Sequence, residues 1–533
     1  MSPLYVIYLS PSKWWYRAEK GIGVAYPRSK TPKQRIMLSI LLLIPILGIA
    51  AILLVTSNES QSKKVALGAS LANFALSLVL WAEFDGNTAQ FQFVQDWTTV
   101  TNKTTTSFCH FIIGLDGISL FFVLLTTFII PTCILATWHT PLSSNPLTTG
   151  IIGPGVNSFL IALLVVETLL IALFVVVDLL LFYICFESVL IPLFLLIGIW
   201  SSGQTERKVR ASFLLFLYTL FGSLFMLLGI VVIYMATGTT DLQLLTTVSI
   251  DPSVQRYIWL GFFLALAIKT PLVPLHLWLP FAHVNAPLAG SLILAGLILK
   301  LATYGYLRLC IGFLPEASFY FTPLVYTLCL ISILYTCLAT LRQENLKSIV
   351  AYSSISHMAI SVMGIFSNTI QGIEGAIMLS FAHGIVSPAL FICVSAIYDR
   401  WHTYTLPYYR GLALIMPLFS LLFFLFILAN MGLPATGNFI GEFLSLLGAF
   451  QRNPLLTVLA SSSVVLTAAY SIWFFNRVCF GAFSLYLKPS VDLSRREFFL
   501  LQPSLFLTVV LGIAPNLILD SIHFSVSNLL YTL

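Results

Sequence analysis

Charge is what this sequence has least of: only 9% of its 533 residues are Asp, Glu, Lys or Arg, against 58% that are hydrophobic. A soluble domain of this length would need far more charge to cover its surface, so a large globular enzyme is excluded. Redox and metal signatures are missing too. The eight cysteines (Cys109, Cys133, Cys185, Cys310, Cys329, Cys337, Cys393, Cys479) form no CxxC and no ligand spacing. Most fall inside apolar runs, where they read as small core residues. The eight histidines are scattered, without the helical pairing that haem ligation uses. The chain is therefore expected to bind no flavin, haem, metal or iron–sulfur cluster of its own.

Net charge is missing from the body of the chain as well. Residues 1–36 carry Lys13, Arg17, Lys20, Arg28, Lys30, Lys33 and Arg35 against Glu19, which accounts for the whole net charge of +6. The remainder balances to zero and offers no basic surface to nucleic acid. The N-terminal segment holds Trp14, Trp15 and Tyr16 but neither the apolar core of a secretory signal nor an Arg-rich amphipathic stripe. It reads as a basic extramembrane extension that stays on the mature chain, its role open.

What the sequence has in abundance is apolar runs of about 20 residues, the length that crosses a bilayer as a helix. They fall at 37–56, 66–84, 116–137, 157–177, 178–200, 211–236, 256–278, 286–313, 321–341, 346–366, 373–398, 411–436, 455–482 and 498–524. The expected fold is an all-α, polytopic membrane bundle of about 14 transmembrane helices. Charges between the runs (Arg207, Lys208, Arg210; Arg342, Lys347; Arg400, Arg410; Lys488, Arg495, Arg496) all fall on one side. By the positive-inside rule that is the inner side of the membrane and both termini lie opposite, although the basic N-terminal extension runs against this.

Two runs are interrupted. The seventh contains Lys269-Thr-Pro271-Leu-Val-Pro274, and the twelfth Met431-Gly-Leu-Pro434-Ala-Thr-Gly-Asn438. Proline removes a backbone donor, and broken helices survive at membrane depth only where the freed groups are buried in protein or wet. Two breaks five spans apart point to two inverted five-helix repeats around an ion path. The expected divisions are an extension at 1–36, helices 1–3 at 37–137, a first repeat (helices 4–8) at 157–313, a second (helices 9–13) at 321–482 and a terminal helix and tail at 498–533.

Ionisable residues inside these runs are expensive to bury and so point to function. Glu187 lies about nine residues into the fifth span, near the bilayer centre. Its bland reading is a neutral carboxyl hydrogen-bonded to a neighbouring helix. Lys269 precedes the first break and Lys300 sits midway through the eighth span, where neither snorkels easily to water. A desolvated lysine can cycle between ammonium and amine, whereas arginine stays a fixed cation; the alternative is a static Lys–Glu tie between helices. His357 and His383 sit near the middle of the tenth and eleventh spans, flanked by serines that suit either a proton relay or a hydrogen-bonded core. Glu442 follows the second break, where a proton leaving the interior would meet water. Together Glu187, Lys269, Lys300, His357, His383 and Glu442 have the composition of a proton relay. Asp116, Glu167 and Asp178 read first as capping or packing residues near helix ends.

The stretches Ile113-Gly-Leu-Asp-Gly-Ile-Ser-Leu120, Phe186-Glu-Ser-Val-Leu-Ile-Pro192, Pro274-Leu-His-Leu-Trp-Leu-Pro280, His283-Val-Asn-Ala-Pro287, Ala351-Tyr-Ser-Ser-Ile-Ser-His357 and Asn430-Met-Gly-Leu-Pro434 occur in one order. Over about residues 100–525 the chain resembles the antiporter-like core membrane subunits of respiratory complex I. The resemblance implies proton translocation across the mitochondrial inner membrane, driven by electron transfer from NADH to ubiquinone in other subunits. NADH, FMN, iron–sulfur clusters and ubiquinone would then belong to partner subunits. It implies partnership with other membrane-arm chains, including neighbouring antiporter-like ones, and with membrane lipids. It also implies a coupled pair, Glu187 with Lys269, whose making and breaking gates transfer to Lys300, then to His383 and His357, with Glu442 at the exit. Residues 1–36 match nothing in the family. Two other readings share much of this pattern: a subunit of a multi-subunit sodium/proton antiporter, and a structural membrane subunit whose buried charges are static pairs.

Overall fold

A computed structural model describes residues 32–54, 58–96, 111–138, 155–201, 204–248 and 250–531; most of the expected extension at 1–36 lies outside them. Helices α1 (Pro32–Leu54), α2 (Glu59–Glu83), α3 (Gly117–Ala136), α4 (Val156–Val175), α5 (Leu179–Trp200) and α6 (Thr205–Thr237) follow the first six apolar runs. After them come α7 (Pro252–Lys269), α8 (Trp278–Asn285), α9 (Leu288–Ile311), α10 (Pro315–Leu341), α11 (Leu346–Ile365) and α12 (Ile370–Trp401). The chain closes with α13 (Pro417–Asn430), α14 (Gly437–Arg452), α15 (Pro454–Cys479), α16 (Arg495–Ile513) and α17 (Asn516–Tyr531).

Among the described residues twelve helices are long and apolar enough to cross a membrane, rather than the fourteen expected. The difference is physical: the runs at 256–278 and 411–436 do not continue as single helices but break into α7/α8 and α13/α14. A further correction concerns the last run. Pro515 interrupts it, so α16 ends at Ile513 and α17 starts as a separate helix whose buried Ile518, Ile522 and Val526 form one stripe. The bundle is also not purely helical. Gln92–Asp96 (β1) pairs antiparallel with Ile112–Leu115 (β2), where an apolar Ile-Ile-Gly-Leu leads into α3.

The two membrane faces can be told apart by what is tied together on each. On the basic side the guanidinium of Arg400 pairs with Glu497 at 2.9 Å and donates to Val491 O, and Trp401 Nε1 donates to Lys488 O. On the same side Asn345 bridges to Thr405. Opposite lie the N-cap of α3, where Asp116 accepts from Ser119 N and pairs with Arg308, and the seat of α17, whose Ser525 Oγ accepts from Gly117 N. Asp178 caps α5 there, accepting from Leu180 N, Leu181 N and Thr240 Oγ1. Asp116 and Asp178 are therefore caps, as expected. Glu167 is not: it lies in the middle of α4, wholly buried, with Oε1 accepting from Asn73 Nδ2 at 2.7 Å.

Glycines set the closest helix crossings around the second half of the bundle. A Cβ on Gly375 of α12 would lie 2.4 Å from Ser445 N of α14, and one on Gly441 of α14 would lie 2.5 Å from Leu379 Cα. Backbone cannot yield as a side chain does, so overpacking here costs about 1–3 kcal/mol. Gly375→Val is expected to lower the melting temperature of the purified assembly; an unchanged midpoint would show that α12 and α14 separate at little cost.

Candidate proton-relay site

The first break is arranged to satisfy the backbone it frees. Trp278 Nε1 donates to Ile268 O at 2.8 Å, Thr270 N to Leu266 O, and Ser332 Oγ accepts from Val273 N. The helix can therefore end in mid-bundle without leaving these groups orphaned, and it ends on Lys269, which is wholly buried. Gly222 lets α6 approach this end: a Cβ there would lie 2.7 Å from Ile268 Cδ1.

Glu187 lies on α5, half-buried, with Tyr183, Ser223 of α6 and Lys269 as its electrostatic neighbours. It does not form the expected charge pair in this structure. Among the described residues Lys269 Nζ has no hydrogen-bond partner; it rests 4.2 Å above the ring of Phe186, the residue before Glu187, and Glu187 Oε1 is likewise unpartnered there. The cation is held by the π-face instead of by a carboxylate.

Beyond this point the expected residues come together. The eighth-span helix α9 is distorted: Leu294–Ile298 and Tyr306–Ile311 are π-helical turns, a local widening that often accompanies function. Lys300 follows the first of them, and its Nζ donates to Ala295 O at 2.6 Å. Its second partner is His383 Nδ1 of α12 at 2.9 Å. A glycine crossing makes that contact reachable, because a Cβ on Gly296 would lie 3.1 Å from Pro388 and one on Gly384 would lie 3.3 Å from Gly296 O.

The His383 ring centroid is 5.4 Å from that of His357 on α11, and His357 Nδ1 is 2.7 Å from Glu442 Oε1 on α14. Lys300, His383 and His357 are wholly buried and Glu442 is 5% exposed. Among the described residues no carboxylate lies within ion-pair distance of Lys300. Its charge is held only by neutral acceptors.

Glu442 sits six residues past Thr436 at the second break. Gly432 there has φ +77°, in the left-handed region glycine tolerates, and a Cβ on it would lie 3.0 Å from Glu442 Oε2. The carboxylate borders a crevice of about 380 Å³ whose other walls include Phe439, Phe443 and Leu446. Asn438, four residues before it on α14, is wholly buried, with neither side-chain polar atom partnered among the described residues.

Two buried polar residues, Lys347 and His283, and a partly buried one, Arg308, were not anticipated. Lys347, read from sequence as a loop charge, is 3% exposed and donates to Ala286 O at 2.8 Å. His283 is wholly buried, with neither ring nitrogen partnered. Arg308 is enclosed beside Asp116 and Tyr304. Arg308 and His283 lay inside apolar or motif sequence, and only the neighbouring segments reveal their burial. Among the described residues no group of three or more His, Cys, Asp or Glu is placed to hold a metal ion.

Comparison with known proteins identifies what the chain as a whole is similar to. The family described as NADH:quinone oxidoreductase/Mrp antiporter, transmembrane, matches residues 176–467. NADH-ubiquinone oxidoreductase chain 4 of Mycosarcoma maydis is 57% identical over 501 residues, covering 93% of this chain and 100% of that protein. Its counterpart in Arabidopsis thaliana is 50% identical over 500 residues, 92% of this chain and 96% of that one. A chain in the structure of respiratory complex I from Thermus thermophilus with bound NADH superposes with a TM-score of 0.81 at 29% identity, covering 92% of this chain and 99% of that chain. A chain of the Mrp complex from Dietzia sp. DQ12-45-1b gives 0.82 at 20% identity over 94% and 99%, a likeness of fold.

Proposed function

This chain belongs to the NADH:quinone oxidoreductase/Mrp antiporter family of membrane proteins, and on that premise we propose how its buried residues move protons. It is a chain 4-type, antiporter-like membrane subunit of NADH-ubiquinone oxidoreductase, working beside other membrane-arm subunits. Identity of 57% to a named chain 4 favours this over a sodium/proton antiporter subunit. We place it in the mitochondrial inner membrane with its basic face toward the matrix, the side that the Lys and Arg excess marks. Iron–sulfur clusters are assigned to partner subunits, since no ligand-spaced cysteines occur here, and NADH, FMN and ubiquinone are assigned there because the relatives are membrane subunits of a multi-subunit complex.

The observation that carries the reading is the row Lys300, His383, His357, Glu442, with contacts of 2.9 Å and 2.7 Å at its two ends and the two imidazole ring centroids 5.4 Å apart between them. With Lys300 as ammonium, its N–H donates to His383 Nδ1, so the ring proton of His383 sits on Nε2. Transfer of the Lys300 proton to Nδ1 leaves a neutral amine and a ring able to release its Nε2 proton toward His357. His357 then delivers a proton to the Glu442 carboxylate, which is in contact with it. Glu187 and Lys269 act upstream as the gate: apart, as here, Lys269 is free of a carboxylate; together, each charge stabilises the other. Because they titrate as a pair, neither has a private protonation state.

His383→Gln tests this line, since glutamine keeps polar contacts but cannot carry a proton between two nitrogens. In the assembled complex reconstituted into liposomes, NADH-driven proton uptake is expected to fall by roughly 100-fold, within the range for a lost acid–base group. Uptake at the parent rate would exclude His383 from the path.

A further inference from the structure

Arg308, Asp116 and Tyr304 take no part in the relay described above, yet they stand between Lys300 and the face opposite the basic loops. A cavity of about 340 Å³ opens on that face, with exposed Gln90, Thr246 and Asn528 at its rim and Asp116 and Arg308 in its wall. Tyr304 lies one turn of α9 beyond Lys300, about 6 Å along the axis and on the same side of the helix. Arg308 follows in the next turn, inside the second π-helical segment.

Tyr304 closes the way from the cavity to Lys300. Its buried ring packs against Phe174 of α4, Phe122 of α3 and Phe182 of α5, with centroids 5.2, 5.9 and 6.2 Å away. Its hydroxyl is committed on both sides: it donates to Phe174 O at 3.1 Å and accepts from Arg308 Nε at 3.2 Å. A carbonyl oxygen passes no proton on, and a guanidinium does not give one up. The other edge of the guanidinium pairs with Asp116, whose carboxylate also accepts from Ser119 N at 3.0 Å. The acid in the cavity wall therefore meets Tyr304 only across Arg308. The Phe91 ring, 5.0 Å from Arg308 Cζ, backs the planar group. A tie between α9 and the cap of α3 would be served by the Asp116 contact alone; the Nε bond to Tyr304 is what lays the cation across the route.

We propose that Arg308, set between Asp116 and Tyr304, is a proton seal that keeps water on the face opposite the basic loops from protonating Lys300. In the relay Lys300 passes through a neutral amine. Hydronium entering from the side where translocated protons accumulate would give that amine a proton, leave water behind and dissipate the gradient. A fixed arginine cation in a narrow, low-dielectric passage opposes such entry. The seal rests on the relay reading of Lys300, because a lysine that stays charged throughout accepts no proton from either side.

The test uses the assembled complex in liposomes, oriented so that added NADH drives proton uptake, which puts this face in the lumen. An acid-inside pH step is imposed without NADH, potassium and valinomycin holding the potential at zero, and its decay is read above that of protein-free vesicles. Arg308→Gln, which keeps a hydrogen-bond donor and removes the charge, is expected to speed the decay about tenfold over the parent. The double variant Arg308→Gln/Lys300→Arg is expected to decay at the parent rate, since arginine at 300 takes up no proton. Parent-rate decay in assembled Arg308→Gln overturns the seal, and so does fast decay that persists in the double variant, which marks a general hole and not entry at Lys300. If Arg308→Gln does not assemble, Tyr304→Leu, which removes ring and hydroxyl from the same route, decides by the same two readings. If neither assembles, the cluster is structural and the seal falls. NADH-driven uptake by Lys300→Arg alone keeps the two ideas apart: parent-rate uptake there removes the relay, whereas lost uptake there with parent-rate decay in Arg308→Gln removes only the seal.

Discussion

Glu187→Gln and Lys269→Arg are each expected to reduce proton pumping by the assembled complex roughly 100-fold or more, and with it NADH oxidation wherever the two are tightly coupled. The structure sharpens why. Lys269 is wholly buried at the end of α7, without a hydrogen-bond partner among the described residues, and it rests on Phe186. A cation–π contact is worth about 2 kcal/mol when desolvated, well short of what a buried charge costs. Closing on Glu187 would relieve both residues, and opening again would leave Lys269 ready to give up its proton. Glutamine at 187 removes the closed state's charge. Arginine at 269 keeps a cation that closes on Glu187 but does not deprotonate. A Lys269→Arg complex that assembled and pumped at the parent rate would make Lys269 a structural counter-ion, and the relay would have to start elsewhere.

How much of this could be read from sequence depends on whether the cause was local. The two breaks were legible, because Pro271 and Pro274 in one case and Gly432 and Pro434 in the other remove donors or permit a left-handed turn within the segment itself. So were Glu187, Lys269, Lys300, His357, His383 and Glu442 as a set, since charge inside an apolar run is visible without knowing its neighbours. Pro515 was an equally local signal, and the run across it was read as one helix only because apolar residues continue on both sides.

Pairing was not legible. Nothing in the period of α9 says that Lys300 meets His383; the Gly296 and Gly384 crossing decides it, and so does the π-helical turn that places Ala295 O behind the ammonium. The same holds for the misreading of Lys347. It stands among Arg342, Gln343, Glu344 and Asn345, which look like a solvated loop, and its burial comes from Ala286 and Tyr404, distant in sequence. Glu187 and Lys269 were expected in contact because opposite charges in hydrocarbon attract; Phe186 offers the cation another surface, which spacing alone does not reveal.

The distinction that matters most is between Lys300 as a carrier and Lys300 as a fixed cation. It is the first member of the row, its partners are the neutral Ala295 O and His383 Nδ1, and among the described residues no carboxylate lies within ion-pair distance of it. Lys300→Arg preserves positive charge and hydrogen-bond donors while removing the ability to deprotonate. The direct measurement is the rate of NADH-driven proton uptake by the assembled Lys300→Arg complex in sealed liposomes, with subunit content checked on the same preparation. The expected result is an uptake rate reduced roughly 100-fold with the subunit content unchanged; uptake at the parent rate would contradict the relay.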